Sequence, residues 1–301
     1  MFAAPPVIQA EVFTRVPDAM RAKGSAIRTQ SHIPRDCFLE GPSFDRAGNL
    51  WVVNIPYGQI MKITPQGEWS VVAEYDGEPN GLKIHKDGRI FIADHKQGLL
   101  LLDPKRGTVA PICDRPRGER FKGLNDLIFA KNGDCYFTDQ GEADMRDPSG
   151  RLYRLRANGT LECIVERIPS PNGLVLTPNE EILYLAVTRG NAVWRVPLFD
   201  DGSTGRVGIF IQMSGGTGPD GMAMDEAGSL AICHVGMGSL WLFSKVGRPL
   251  AEVRSPTGIS TTNVAYGGPD RKTVYITESE TGSILRAELA RPGQLLYSHQ
   301  E

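Results

Sequence analysis

Short apolar segments alternate with turn residues along almost the whole chain, and no long stretch carries a helical period. Pairs of apolar runs are separated by clusters of Gly, Asp or Asn, for example DRAG at residues 45–48 and KNG at residues 131–133. Apolar runs joined by such tight polar turns are typical of β-hairpins. The pattern therefore predicts an all-β chain.

One composite pattern, made of a polar residue, an apolar strand, a turn and a second apolar strand, occurs six times. Two of the copies are EGPSFDRAGNLWVVN from Glu40 and NGLKIHKDGRIFIAD from Asn80, and successive copies start 40 to 48 residues apart. This spacing, with four strand-like segments per unit, indicates a β-propeller. We therefore predict a six-bladed β-propeller with four-stranded antiparallel blades around a central channel. Residues 1–301 are expected to form a single domain, in which the N-terminal segment 1–37 packs on the ring or closes it through a strand at residues 9–16.

The six polar start positions all carry side-chain oxygen atoms. Because the innermost strand of each blade lines the channel, these positions should converge at one end of the axis. Asn before Gly also favours turns, so a single position such as Asn80 or Asn263 could reflect strand geometry alone. As a set, however, they include two carboxylates that would repel each other without a cation, and hard divalent cations prefer oxygen ligands. The predicted cation ring is Glu40, Asn80, Asn125, Asn172, Asp220 and Asn263.

A second group of polar residues follows the ring positions after fourteen residues, where the second strand returns to the same end of the channel. We expect this group to lie just behind the ring. For His234, a hydrogen-bonded place in the pocket wall and a direct role in proton transfer are both open. His95, next to one member of the group, is expected to be mainly structural. The group comprises Asn54, Asp94, Asp139 and His234.

Composition and charge exclude several classes of function. The chain has 33 Lys and Arg residues against 35 Asp and Glu residues, so it lacks the basic excess that attracts nucleic acid or anionic membranes. No apolar run approaches the roughly 20 residues of a membrane-spanning helix. The N-terminus lacks a signal-peptide pattern, and the five cysteines lack metal-ligand spacing. We therefore expect a cytoplasmic protein with reduced thiols that binds neither nucleic acid nor membranes, and the oligomeric state stays open.

Several motifs together resemble those of the senescence marker protein, gluconolactonase and luciferin-regenerating enzyme family, whose members are regucalcin-like six-bladed propellers. The resemblance extends from about residue 38 to residue 290, nearly the whole chain. The motifs are LEGP (39–42), LNDLIF (124–129), YFTD (136–139), PNGL (171–174), GPDGM (218–222) and TNVAYGGPDRKTVYITES (262–279).

The resemblance implies a single divalent metal at the channel mouth and a gluconolactonase-like activity, the hydrolysis of a small-molecule lactone. The implied ligands are Glu40, Asn172 and Asp220, while Asn125 is a further ligand or binds the substrate. Calcium suits this all-oxygen set, and zinc, magnesium, manganese or iron(II) is also compatible. The cation would polarise the lactone carbonyl, and Asp220 or a water on the cation would act as base or nucleophile.

One position departs from the family pattern. Sugar-lactone members often carry an arginine two residues before the LND asparagine, where this chain has Gly123. The substrate could therefore be a sugar lactone or a less polar lactone or ester. A phosphotriesterase-like hydrolase, similar to diisopropyl fluorophosphatase, shares the ligand set and stays open. A non-catalytic calcium-binding or interaction propeller is the other alternative, against which the anions Glu40 and Asp220 count.

Overall fold

The computed structural model describes residues 4–21, 27–28, 34–115 and 118–300. It shows six blades of four antiparallel strands arranged in a ring, and the sheet of the fifth blade gains one further, parallel strand. The predicted six-bladed β-propeller is thereby confirmed. Each innermost strand contacts the innermost strands of both neighbouring blades, and the last contacts the first. The innermost strands are β5 (Leu39–Phe44), β9 (Pro79–Ile84), β13 (Leu124–Phe129), β17 (Pro171–Leu176), β21 (Gly218–Met224) and β25 (Thr261–Gly267).

The second and third strands of each blade continue the antiparallel meander away from the axis. The second strands are β6 (Leu50–Asn54), β10 (Ile90–Asp94), β14 (Cys135–Asp139), β18 (Ile182–Val187), β22 (Leu230–Val235) and β26 (Thr273–Glu278). The third strands are β7 (Gln59–Ile63), β11 (Gly98–Asp103), β15 (Gly150–Leu155), β19 (Ala192–Pro197), β23 (Ser239–Phe243) and β27 (Ser283–Glu288).

The outer strand of the sixth blade comes from the other end of the chain. There β2 (Glu11–Arg15) pairs antiparallel with β27, and β1 (Val7–Gln9) pairs parallel with the outer strand of the fifth blade. Two N-terminal strands therefore stand where one was expected at residues 9–16, and they join the beginning of the chain to its last two blades. The remaining outer strands are β8 (Trp69–Glu74), β12 (Thr108–Cys113), β16 (Leu161–Ile168), β20 (Gly208–Gln212) and β24 (Pro249–Arg254).

Short elements occupy the loops. The strands β3 (Ile27–Arg28) and β4 (Pro34–Arg35) form a two-stranded sheet. Within the described ranges no helix is long and apolar enough to cross a membrane, and none of the five cysteines forms a disulfide bond. Turns of 3-10 helix lie at Asp18–Met20, Ile55–Tyr57, Thr188–Gly190 and Tyr297–His299.

Apolar side chains fill the space between neighbouring blades. Trp51 and Val53 of the first blade, for example, pack in one buried cluster with Leu82 and Ile92 of the second. Residues in a strand point alternately to its two faces, so a blade covered on both sides needs apolar residues on both. This packing fixes the blades against one another and thus fixes the positions of the strand starts around the axis.

The innermost strands approach each other so closely that a side chain would not fit beside several ring positions. An added Cβ at Gly81 would lie 2.7 Å from the Cα of Asp126, and one at Gly221 would lie 2.0 Å from Oδ1 of Asn263. The pairing of each innermost strand is also irregular at this point, as in a β-bulge. The recurring glycines therefore serve close strand packing in bulged strands. They are not hairpin turn residues.

Candidate active site

The structure brings the predicted ring together at one end of the channel. Glu40 is 3 % exposed and Asp220 is 8 % exposed, although both are carboxylates. Asn125, Asn172 and Asn263 are buried as well, whereas Asn80 is half-buried. A buried carboxylate requires hydrogen bonds or a compensating charge, so the contacts of these side chains show what the ring can bind.

Glu40 is held by an amide from the neighbouring sixth blade. Its Oε2 accepts hydrogen bonds from Asn263 Nδ2 at 2.8 Å and from the backbone N–H of Gly41 at 2.9 Å. The same Asn263 nitrogen lies 3.4 Å from Oδ2 of Asp126, on the opposite side of the ring. Asn263 thus presents its NH2 group to two carboxylates, so the expectation of an oxygen ligand at this position is not met.

Asp220 and Asn172 form the other half of the ring. The Asn172 side chain donates a hydrogen bond to the Asp220 carboxylate across the contact between β17 and β21. The 3-10 turn Thr188–Gly190 packs against the start of β21, where Thr188 Oγ1 donates to the carbonyl of Pro219 at 2.8 Å. This turn carries the exposed Arg189. Its positive charge acts on Asp220.

Asn125 is oriented by a chain of side-chain hydrogen bonds. Its Nδ2 donates to Oε1 of Gln140 at 2.9 Å, and Gln140 Nε2 donates to Oγ of Ser170 at 2.8 Å. With the nitrogen turned to Gln140, the opposite side of the amide group presents its oxygen. That oxygen is the atom a cation or a substrate hydroxyl would contact.

The electrostatics of the ring are those of crowded, buried anions. Burial raises the pKa of Glu40 to about 7, although Asn263 and Gly41 donate hydrogen bonds to it, and the Asp126 charge adds to the rise. Burial also raises the pKa of Asp220 well above its usual range, with further contributions from the Glu40 and Asp126 charges. Burial and the neighbouring negative charges therefore both oppose the ionisation of Glu40 and of Asp220.

The donor set fits a hard divalent cation. Two carboxylates and two amides supply oxygen atoms from different blades, and a cation between them would compensate the mutual repulsion. Within the part of the chain that the structure describes, no three His, Cys, Asp or Glu side chains are grouped to hold a metal. That finding does not bear on the proposed ligands, because two of them are amides. The proposed ligands are Glu40, Asn172 and Asp220 with Asn125.

The group behind the ring holds the backbone that leads into the innermost strands. Asn54 Oδ1 accepts the N–H of Phe38 at 2.8 Å. Asp139 Oδ1 likewise accepts the N–H of Gly123 at 2.8 Å. Asp94 Oδ2 binds the N–H of Glu78 at 2.9 Å in the same way. Each bonded N–H lies two residues before a ring position, so these side chains position the ring from behind.

His234 has the position of a wall residue. It is 1 % exposed, and its Nε2 lies 2.9 Å from the carbonyl oxygen of Gly215, so Nε2 carries the proton. Its Nδ1 is buried without a hydrogen-bond partner. Burial lowers the pKa of His234, which keeps its imidazole neutral.

His95 explains the glycine that replaces the family arginine. An added Cβ at Gly123 would lie 2.3 Å from the His95 ring, and Gly123 has a φ of +152°, which disfavours a side chain. The half-buried imidazole therefore occupies the space into which a side chain at position 123 would extend.

Sequence reasoning missed three members of the site. Asp126 is the third carboxylate of the ring, and its only sequence signal was its place directly after Asn125, where the first, second, fourth and fifth repeats have glycine. Lys83 forms an ion pair with Asp126, with 3.7 Å between Nζ and Oδ1. Arg189 lies in a loop outside the repeated pattern. Contacts between neighbouring blades, which sequence spacing does not encode, identify the last two.

The sequence is similar to known proteins over most of its length. The family described as SMP-30/Gluconolactonase/LRE-like region matches residues 38–280. Lactonase drp35 of Staphylococcus aureus strain MW2 is 30% identical over 233 residues, which cover 72% of this chain and 70% of the relative.

Two solved structures show the same fold at lower sequence identity. Regucalcin, a calcium-binding protein from Agrobacterium tumefaciens strain C58, has a TM-score of 0.79 at 21% identity, covering 99% of this chain and 100% of that chain. A gluconolactonase from Xanthomonas campestris has a TM-score of 0.75 at 22% identity, covering 84% of this chain and 86% of that chain.

Proposed function

Because the chain belongs to the SMP-30/gluconolactonase/LRE-like family, we propose that it hydrolyses a lactone with the help of one divalent cation at the ring end of the channel. The observation that carries this proposal is the pair of buried carboxylates, Glu40 and Asp220, facing one channel with Asn172 bonded to the second. The similarity to a protein named lactonase supports the class of reaction.

Glu40, Asn172 and Asp220 would hold the cation, with Asn125 as a further ligand or a substrate contact. When bound, the cation would polarise the lactone carbonyl and stabilise the negative charge that develops on its oxygen. Calcium suits the all-oxygen donors, and zinc, magnesium, manganese and iron(II) are the alternatives to be tested.

The protein groups would position the substrate and move protons. Asp220 accepts the proton of the attacking water as the new carbon–oxygen bond forms. The ester bond of the lactone then breaks, and the departing alkoxide takes the proton back from Asp220 to become a hydroxyl group. Asn125, fixed by Gln140, orients the substrate through its amide oxygen.

The groups near the ring favour a lactone less polar than a sugar. Gly123 offers no side chain, and the His95 imidazole occupies the space into which one would extend. Met237 and Ile259 lie on loops at the same end of the fifth and sixth blades, and their side chains are exposed. An apolar acyl group could cover such side chains on binding.

The test is a hydrolysis assay on metal-stripped protein, with each cation restored in turn and sugar, aliphatic and aromatic lactones as substrates. We expect cation-dependent turnover, fastest with an aliphatic or aromatic lactone. Asp220→Asn removes a ligand charge and the proton acceptor, so kcat should fall by roughly a hundredfold or more.

Asp201→Asn is the matched control, because it makes the same change at an exposed turn on the outer side of the fourth blade. This variant should keep full activity. A folded Asp220→Asn protein with unchanged turnover, or a wild-type protein inactive with every cation and lactone, would contradict the proposal.

A further inference from the structure

A cavity lies in the channel, between the ring and the opposite face of the propeller. Its volume is roughly 620 Å³, within the range of small-molecule pockets. Pro42, Leu174 and Met222, each two residues after a ring position, line its inner part together with Val264. Its outer part is lined by turns of the first and sixth blades, at the face of the propeller opposite the ring.

Lys83 supplies a positive charge to this apolar wall. Its side chain is 16% exposed, and Nζ lies 3.7 Å from Oδ1 of Asp126, beyond hydrogen-bond distance. Nζ donates one hydrogen bond, at 3.2 Å, to the carbonyl of Leu82. An ammonium group has three donors, so Lys83 can still bind an anion that enters the cavity.

The C-terminal segment 294–299 covers the outer side of the cavity. Gln294 Nε2 donates to the carbonyl of Leu176 at 2.9 Å, and Arg46 Nε donates to the carbonyl of Ser298 at 2.9 Å. Arg271 also lines the cavity and places a further positive charge near its opening. A ligand inside would therefore meet apolar walls, a partly buried ammonium group and cationic side chains near the opening.

We propose that this cavity binds a small monocarboxylate with an apolar body, whose carboxylate pairs with Lys83. An apolar body matches Leu174, Met222 and Val264, and a charge-assisted hydrogen bond to Nζ compensates the carboxylate for leaving water. The cavity contains none of the proposed cation ligands and takes no part in the hydrolytic reaction, so the proposal does not depend on the proposed function.

Calorimetric titration of cation-free protein with octanoate, and with octan-1-ol as an uncharged analogue, tests the proposal. Octanoate should bind wild-type protein roughly tenfold more tightly than octanol, because it alone gains the charge-assisted bond. Lys83→Met should remove this difference and leave octanol binding unchanged. Ala223→Phe, which enlarges a side chain in the cavity wall, should weaken both ligands.

Asp220→Asn distinguishes this site from the ring, since it should leave octanoate binding unchanged. The proposal is overturned if wild-type protein does not bind octanoate, if Lys83→Met binds it as tightly as wild type, or if Asp220→Asn abolishes binding. Should Lys83→Met fail to fold, unchanged octanoate binding by a folded Ala223→Phe variant would refute the site.

Discussion

The side chain of Asn263 is a neutral group that links two carboxylates of the ring. Its single NH2 group lies within reach of both Glu40 and Asp126, and its Oδ1 accepts the N–H of Val264 at 2.8 Å. The amide therefore cannot rotate without losing contacts on both sides. It holds two carboxylates in place without supplying a positive charge, so a cation is still needed to compensate their repulsion.

Two charged residues next to the ring should shift its cation affinity in opposite directions. Asp126→Asn removes a negative charge beside Glu40, so calcium should bind roughly tenfold more weakly. Lys83→Met removes the positive charge that faces Asp126, so calcium should bind more tightly. Calorimetric titration with calcium measures both effects.

The double variant Asp126→Asn with Lys83→Met should lie between the two single variants, because the lost charges compensate. Asp270→Asn and Lys245→Met, at turns far from the ring, are charge-matched controls. Shifts of the same sign in both single variants would contradict this electrostatic account.

At the level of the strand, the ring depends on glycine. β21 can lie against β25 because Gly221 has no side chain, and the neighbouring Asn263 fills the space that a Cβ would need. The same holds between β9 and β13, where Gly81 faces Asp126. The close spacing of these strands therefore also determines where the ring side chains lie.

Gly221→Ala should disturb both the fold and the site. The new methyl group would overlap the Asn263 side chain, so we expect a loss of roughly 1–3 kcal/mol in the free energy of unfolding. Calcium affinity should fall as well, because Asn263 can no longer hold Glu40. Urea denaturation and calcium titration measure the two effects.

Gly208→Ala is the matched control in an outer strand, since an added Cβ there meets nothing within 4 Å. It should leave calcium binding unchanged and alter stability little. Equal effects of the two substitutions would show that strand spacing at Gly221 is not limiting.

The repeat pattern allowed the blades and the ring to be predicted, because each start position keeps a fixed offset within its unit. The contacts made by those residues were less predictable. Glu40 was expected to need a cation. It also accepts a hydrogen bond from Asn263, which lies 223 positions away in the sequence. Lys83 reads as an ordinary strand residue, and its pairing with Asp126 depends on how neighbouring blades pack.

The molecule as a whole is a closed ring, so a ligand bound at the axis joins separate blades. A cation held by Glu40, Asn172 and Asp220 would connect the first, fourth and fifth blades. Ligands that bind only the folded state stabilise it by mass action, by about 2.7 kcal/mol at a hundredfold excess over Kd. The ring should therefore be measurably more stable with its cation.

Removal of divalent cations by a chelator should lower the Tm, and calcium should restore it. The Glu40→Gln protein should show a much smaller change, since it lacks one of the charged ligands. Glu68→Gln, an exposed turn residue of the first blade, should respond like wild type. A chelator-independent Tm in wild-type protein would count against a cation at the ring.

The hydrogen bond between Glu40 and Asn263 joins the first blade to the last, and β2 pairs with β27 in the same sixth sheet. During synthesis on the ribosome, β2 and Glu40 emerge well before the residues that they bind. Strand β2 lacks its partner β27 until residue 288 has left the exit tunnel. The carboxylate of Glu40 likewise lacks the side-chain amide of Asn263 until residue 263 has left it. Chains that end before residue 263 would therefore contain several complete blades but no assembled ring, so function would begin only after this residue has emerged.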